Sequence, residues 1–346
     1  MPFPDDSIGL WEKENVMNQK QELEVRRAAD RIRLRVLEHT VSQNGGYLSQ
    51  ACSSADLFAT LYMRVLKLAK LDKPLMPKKF KAVPGPKQKA VTGARFNGNG
   101  SPDCDSFILS PAQYALVLYA ALIETGRMDA RAMKEYNKDG SSVEMIGAEH
   151  SPGMEVTTGS LGQGISQAAG IAFARKVRGD KGRVVVMLSD GECQSGEFWE
   201  AVQAASYHDL GNLICFVDVN GFQCDGKMTT VMNLEPFDDR LRAFGARVFR
   251  IDGHDVQEIE RIAKMRPSKK PTFVLCDTDP TRGLPFLKER YPKFHYVRFL
   301  DPKDRERYRG YYEKLAAKGD LTATAAIEAE KAAAEKAAAA AAGKEA

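Results

Sequence analysis

The chain has 346 residues, 43% of them apolar and 28% charged, which is enough for one large α/β domain with a real core and excludes a disordered chain. Against 46 acidic side chains stand 50 basic ones, a net charge of +4 spread along the chain, which argues against nucleic acid as the main partner. No stretch reaches the roughly 18 uninterrupted apolar residues of a membrane span, and the acidic start MPFPDDSIGLWEKEN lacks a secretory pattern. A cytoplasmic protein without a membrane partner is expected, and its scattered cysteines, with no C-x-x-C pair, are expected to be unpaired and mostly buried.

In chain order, residues 1–18 read as an N-terminal extension. From Gln19 to Gln43 apolar residues recur at the helical period among charges, predicting an amphipathic helix. After NGGYLSQACSS, where Ser53 or Ser54 can cap, ADLFATLYMRVLKL predicts a second helix. Residues 72–105 are rich in Lys, Pro, Gly and Asn and read as a long surface excursion: a lid, a subunit contact or plain disorder. DSFILS is a short strand, and PAQYALVLYAALIETG a helix with Pro111 in its first turn and Gly126 at its end. TTGSLGQGISQAAGIAFARKVRG is a glycine-bearing turn entering a small-residue helix. RVVVMLS, NLICFVDV, ARVFRI and TFVLCDT are strands separated by helices, one of them starting after DGHD, where Asp255 can cap. This alternation predicts an α/β fold, a doubly wound, mostly parallel sheet with helices on both faces, over residues 19–315. Residues 316–346 form an alanine-rich tail with almost nothing large to bury.

Asp190-Gly191 and Asn220-Gly221 end two apolar runs thirty residues apart. In a doubly wound sheet, ligands lie outside the carboxyl ends of the strands. A carboxylate, an amide oxygen and the nearby backbone carbonyl of Phe222 are hard oxygen ligands suited to Mg²⁺ or Ca²⁺ held together with phosphate oxygens. Gly191 lets the backbone approach a phosphate at a helix entry. Asp-Gly and Asn-Gly are also ordinary turn dipeptides, and the glycines of TTGSLGQG also serve close helix packing.

LSDGE, then WEA, then FVDVNGFQCDG resemble the diphosphate signature of thiamine diphosphate enzymes, a GDG followed after about thirty residues by Asn. GGYLSQACSSADLFATLY, DSFILSPAQYALVLYAAL, SPGMEVTTGSLGQGISQAAGIAFA, DGHD and PTFVLCDTDPTRGLPF follow in the order seen in transketolases, and the resemblance runs from about Glu22 to His295. It implies the thiamine diphosphate-binding (PP) fold. It implies metal ligation by Asp190, Asn220 and the carbonyl of Phe222, and a diphosphate and thiazolium site lined by Gly159, Leu161 and Gly191, with Gln113 at its edge. The chain stops where a complete transketolase would begin its pyrimidine-binding domain. A separate C-terminal subunit is therefore expected to bring that domain and its activating glutamate, in an α2β2 assembly acting on small carbonyl substrates.

Departures from the family stand beside the matches. Where transketolases carry GHPGG this chain has SQNGG, placing Gln43 at a histidine; where they carry LSKGH it has LSPAQ, placing Gln113 at another; Met145 stands at about the place of a third. Glutamine cannot take up a proton near neutral pH. His295, in KFHYVRF, is the family histidine expected to survive. Ser195 takes the place of a glutamate that makes subunit contacts, and Glu192 is displaced from it by three residues. His150, His208 and His254 read as a loop residue, a helix-end residue and a turn former. The reading is a transketolase-like subunit moving a ketol or acyl-type unit to an aldehyde. Its alternatives are a thiamine-dependent 2-keto acid carboligase or decarboxylase component and a non-catalytic or regulatory subunit. An unrelated nucleotide-binding protein would need a Walker lysine or a G-x-G-x-x-G after its first strand, and the sequence has neither.

Overall fold

The computed structural model describes residues 17–81, 85–86, 91–98 and 101–318, so the extension before Met17 and the tail beyond Lys318 lie outside the described residues. Its centre is a five-stranded sheet of β1 (Ser106–Leu109), β2 (Val184–Ser189), β3 (Leu213–Val219), β4 (Arg247–Asp252) and β5 (Thr272–Asp277). The spatial order is β1-β2-β3-β5-β4, and every neighbouring pair is parallel. Parallel strands need covering on both faces, which is why VVVMLS and most of LICFVDV are apolar without alternation.

The two faces of each strand feed two cores. Phe107, Leu109, Val185, Met187, Phe216 and Val274 pack with α1 (Gln19–Ser42), α2 (Leu48–Thr60), α3 (Ala115–Glu124) and α7 (Val256–Ala263). Ile108, Val184, Val186, Leu188, Cys215 and Val217 pack with α4 (Gly164–Arg178), α5 (Gly196–Tyr207) and α6 (Phe237–Ala243). The sheet is thus doubly wound, as the sequence predicts, and each fully buried large apolar side chain contributes about 1.5–3 kcal/mol. After β1 the chain leaves for α3 on one face, and after β2 for α5 on the other, so a crevice opens at their carboxyl ends.

Helix ends follow local chemistry where a cap exists. Asn18 and Gln21 form a capping box that starts α1. Asp255 accepts from the N–H groups of Gln257 and Glu258 to start α7, and Gly179, at φ 74°, ends α4. The second helix differs from its prediction. It begins at Leu48 with no side-chain cap, so Ser53 and Ser54 lie inside it, their hydroxyls donating to the carbonyl of Gln50. Its entry is set by a two-residue antiparallel ladder of Gly45–Gly46 against Val297–Arg298, which joins segments 250 residues apart. The last helix among the described residues, α8 (Pro302–Lys318), braces this ladder, with Arg305 donating to the carbonyls of Val41 and Ser42.

The described parts of the 72–105 excursion are tied down at several places. The Leu75 N–H donates to the Arg127 carbonyl, Phe80 stacks on His150 at 4.2 Å, and Asn97 donates to the Gly153 carbonyl and to Glu155. The cysteines are free, with Cys52, Cys193, Cys215 and Cys276 buried. Among the described residues no helix is long and apolar enough to cross a membrane.

Candidate active site

At the crevice three carboxyl groups are buried together. Ser189 and Asp218 are partners in the register of β2 and β3, so Asp190 follows at the tip of one strand while Asn220 leaves the other. Asp190 accepts from the N–H groups of Gly191 and Gly221, both at 2.8 Å, so the Asp-Gly and Asn-Gly turns are fastened to each other across the two strands. Gly221 can take the required φ of 73° because it has no Cβ. Asp218 accepts from Ser53 Oγ (2.6 Å), Tyr114 OH (2.8 Å), Thr278 Oγ1 (2.5 Å) and Asn220 Nδ2 (3.2 Å), drawing α2, the entry to α3 and the end of β5 onto β3. Glu192 accepts from Ser110 Oγ (2.6 Å), the Gly162 N–H (3.2 Å) and the Ser189 N–H (3.0 Å), tying the glycine turn to β1 and β2.

Electrostatics follow from burial. Loss of water, and then the nearby Asp218 charge, push the Asp190 carboxyl up to about 8 against the pull of its backbone donors. Burial raises Glu192 to about 7, and it raises Asp218 despite four hydrogen bonds. None of the three has a cationic side chain among its hydrogen-bond partners, so the ionised form of each is disfavoured until a positive charge approaches. Gln113, next to Tyr114 in the chain, carries a buried Oε1 without a hydrogen-bond partner.

The glycines of the upstream turn divide by role. A Cβ on Gly162 would strike Ser195 Oγ at 1.9 Å and one on Gly164 would strike Ser110 Oγ at 2.3 Å, so these two serve packing. Gly159 is exposed, and its nearest neighbour to such a Cβ is Ile146 Cγ2 at 3.7 Å. Leu161 beside it is 45% exposed, unusual for leucine at a turn.

The rim beyond these carboxyl groups is rich in aromatic side chains. The Gly45–Gly46 ladder sets Tyr47 edge-on to His295 (5.8 Å) and to Tyr296 (4.9 Å). Phe222 packs on Phe294 at 4.8 Å. Gln50, almost fully buried one turn before Ser53 on α2, faces the His295 ring. One helix thus serves both regions, Gln50 toward the rim and Ser53 toward Asp218.

The family model described as transketolase, thiamine diphosphate binding domain, matches residues 95–292. This chain belongs to the transketolase family. It is 35% identical over 280 residues to a transketolase family protein of Sinorhizobium fredii, covering 80% of this chain and 90% of that one. It is 30% identical over 270 residues to the 6-deoxy-6-sulfo-D-fructose transketolase subunit of a Clostridium species, covering 77% and 89%. It is 29% identical over 277 residues to an apulose-4-phosphate transketolase subunit of Actinobacillus succinogenes, covering 80% and 90%. Among solved structures, the transketolase of Campylobacter jejuni superposes with a TM-score of 0.64 at 21% identity, over 92% of this chain but 48% of that one, a likeness of fold.

Against this transketolase background the sequence-derived candidates fall into two groups. Asp190, Gly191, Asn220 and Phe222 meet at the ends of β2 and β3, with the Phe222 N–H donating to Asn220 Oδ1 at 3.0 Å, while Gln113 precedes Tyr114, the residue whose hydroxyl reaches Asp218. His295 stands at the rim, where burial lowers its pKa. Gln43 does not join either group. It caps the C-terminus of α1 with its side chain exposed, and the residue that meets His295 from this segment is Tyr47. Ser195 caps α5 by accepting from Phe198.

His254 does more than shape a turn. Its Nδ1 lies 2.8 Å from Asp56, and its Nε2 accepts from the Asp279 N–H at 2.8 Å, which makes Nδ1 the protonated nitrogen. Burial works to raise Asp56, but the Arg33 guanidinium, to which it is hydrogen-bonded, and His254 hold it well below the usual carboxylate range. This buried chain fixes the loop that carries Thr278 to Asp218. Sequence reasoning missed Asp218, Glu192 and Gln50 as site residues. The signal for Asp218 was an acidic residue inside the apolar run LICFVDV; Gln50 left no comparable signal, because only the fold brings His295 to it.

Proposed function

We propose that this chain is the diphosphate-binding subunit of a two-subunit transketolase-like enzyme that uses thiamine diphosphate with Mg²⁺ or Ca²⁺. It moves a ketol or acyl-type carbon unit from a donor to an aldehyde acceptor. The observation that carries the reading is the buried pair Asp190 and Asp218 with Asn220 between two fastened strand ends. The donor set fits a hard divalent cation: the Asp190 carboxylate, the Asn220 amide oxygen and the Phe222 carbonyl, with diphosphate oxygens completing the shell. Among the described residues no three His, Cys, Asp or Glu side chains form a metal cluster, so the cation needs that mixed set. Gly191 and the open face at Gly159 and Leu161 receive the diphosphate and thiazolium.

The cofactor supplies an electron sink for the carbanion left when a carbon–carbon bond beside a carbonyl breaks. Asp190 orients the cation, Gln113 offers its free amide oxygen to a ligand at the crevice, and His295 exchanges a proton with a substrate hydroxyl. Gln43 stands nearest the outside and acts, at most, on arriving substrate.

The reading includes a separate pyrimidine-domain subunit in an α2β2 assembly, and the names of relatives as transketolase subunits support the partner. The chain spans about nine tenths of two relatives named as transketolase subunits and under half of the Campylobacter jejuni transketolase. Those subunits are named for ketose substrates, which favours a ketose donor over a 2-keto acid. Calorimetric titration of thiamine diphosphate with Mg²⁺ into this chain, alone and with its pyrimidine-domain partner, tests the proposal. Tight binding only with the partner is expected, followed by ketol transfer from a ketose without CO2 release. Absence of binding in both cases would make this a non-catalytic subunit, and CO2 release from a 2-keto acid would make it a decarboxylating carboligase.

A further inference from the structure

The Gln50 amide is held among carbonyl oxygens. One end of it lies 3.1 Å from the Tyr47 carbonyl, 3.2 Å from the His295 carbonyl and 3.2 Å from Ser49 Oγ, so that end is the NH2 group. The other end, 3.4 Å from Nε2 of His295, is then the amide oxygen. An oxygen acceptor facing a ring nitrogen requires a hydrogen on that nitrogen. Gln50 is itself 1% exposed, within α2, and cannot turn without stranding two carbonyls.

We infer that Gln50 is a positioning residue that holds His295 as the Nε2–H tautomer, so that Nδ1 is the atom that accepts a proton from a substrate hydroxyl. The inference rests on the reading of His295 given under the proposed function. Nδ1 has no hydrogen-bond partner among the described residues, and burial disfavours the charged ring against the opposing pull of Asp225. In the transfer the hydroxyl O–H bond breaks and an Nδ1–H bond forms, with the electron pair left on the substrate oxygen. The resulting imidazolium keeps its Nε2–H toward the Gln50 oxygen, which favours the charged ring. Tyr47, edge-on to the same ring, limits its rotation. The rim thereby does with one histidine and one buried amide what a bare histidine, free to exchange tautomers, does less selectively.

Nitrogen-15 spectra of the full chain, labelled at its five histidines, test this directly. His295 is assigned by the signal lost in His295→Ala. A pyrrole-like Nε2 and a pyridine-like Nδ1 are expected in the wild type, and averaging toward a mixture of tautomers in Gln50→Met. A wild-type ring protonated at Nδ1, or already mixed, overturns the inference even if Gln50→Met fails to fold. An unchanged single tautomer in a folded Gln50→Met removes Gln50 from the role. Neither spectrum needs cofactor or partner. Wild-type turnover by His295→Ala in the assembled enzyme would therefore sink the catalytic reading of His295 while leaving the tautomer assignment standing.

Discussion

At the ends of β2 and β3, Asp190, Glu192 and Asp218 are buried and hydrogen-bonded to several different elements, whereas the rim around His295 presents the Gln50 amide, an imidazole and the phenols of Tyr47 and Tyr296. The first region gathers acidic groups away from solvent, a cost that binding of the proposed cation would offset. The second region holds no ion pair of its own among the described residues, and its groups donate and accept hydrogen bonds as a polyol does. One short helix, α2, connects them, with Gln50 and Ser53 a single turn apart. The difference teaches that a buried acidic cluster and a hydrogen-bonding rim can meet the same short helix, so that substitutions at one can be read separately from substitutions at the other.

The sharpest way to break this comparison is Asp190→Ala. It should weaken Mg²⁺-dependent thiamine diphosphate binding in the assembled enzyme by about 100-fold, roughly 3 kcal/mol, with the fold retained. Unchanged affinity by calorimetry would take the cation away from β2. Glu192→Ala comes next, since it leaves Ser110 and the N–H groups of Gly162 and Ser189 without their acceptor. A loss of about 3 kcal/mol in urea unfolding is expected, against about 1 kcal/mol for Glu192→Gln, which keeps an acceptor oxygen. Equal losses would mean that volume, not the hydrogen bonds, matters at this position.

Beneath the rim, His39 is buried with its ring edge-on to Tyr136 at 4.2 Å, and burial lowers its pKa from 6.5 to about 4. Its folded value lies below the unfolded one, so its contribution to stability is fully present above pH 6.5 and is lost as pH falls toward 4. At about pH 5 the loss should be about 2 kcal/mol relative to neutral pH, and it should vanish in His39→Phe. A variant that keeps the wild-type slope would assign that slope to other groups. The smallest effects separate the two glutamines. Gln43→His should change stability by less than about 0.5 kcal/mol, and it should alter turnover less than Gln113→His, whose amide oxygen is buried and unpartnered. The reverse order across a panel of donors would bring the end of α1 into the substrate path.

Strands and their order of appearance were legible because a parallel strand covered on both faces must be an apolar run, and β2, β3 and β5 are such runs. Caps were legible where a side chain supplies them, as at Asp255, and illegible at α2, whose start depends on a ladder with Val297–Arg298. Asp190 and Asn220 could be placed at strand ends because a polar residue followed by glycine closes an apolar run. The glycines of TTGSLGQG could not be sorted into packing and ligand-facing ones, because that depends on Ser110 and Ser195, distant in sequence.

By itself the sequence determined the doubly wound architecture and the placing of Asp190 and Asn220 at the ends of β2 and β3, where the proposed hard-oxygen site lies. Both rest on periodicity and on local residue chemistry. Only the tertiary structure decided that Asp218 and Glu192 are the residues that bind the crevice together, that Gln43 stands apart while Tyr47 meets His295, and that Gln50 governs the His295 ring. Those facts arise from contacts between segments 30 to 250 residues apart, and such contacts leave no periodic or compositional trace in the chain that makes them.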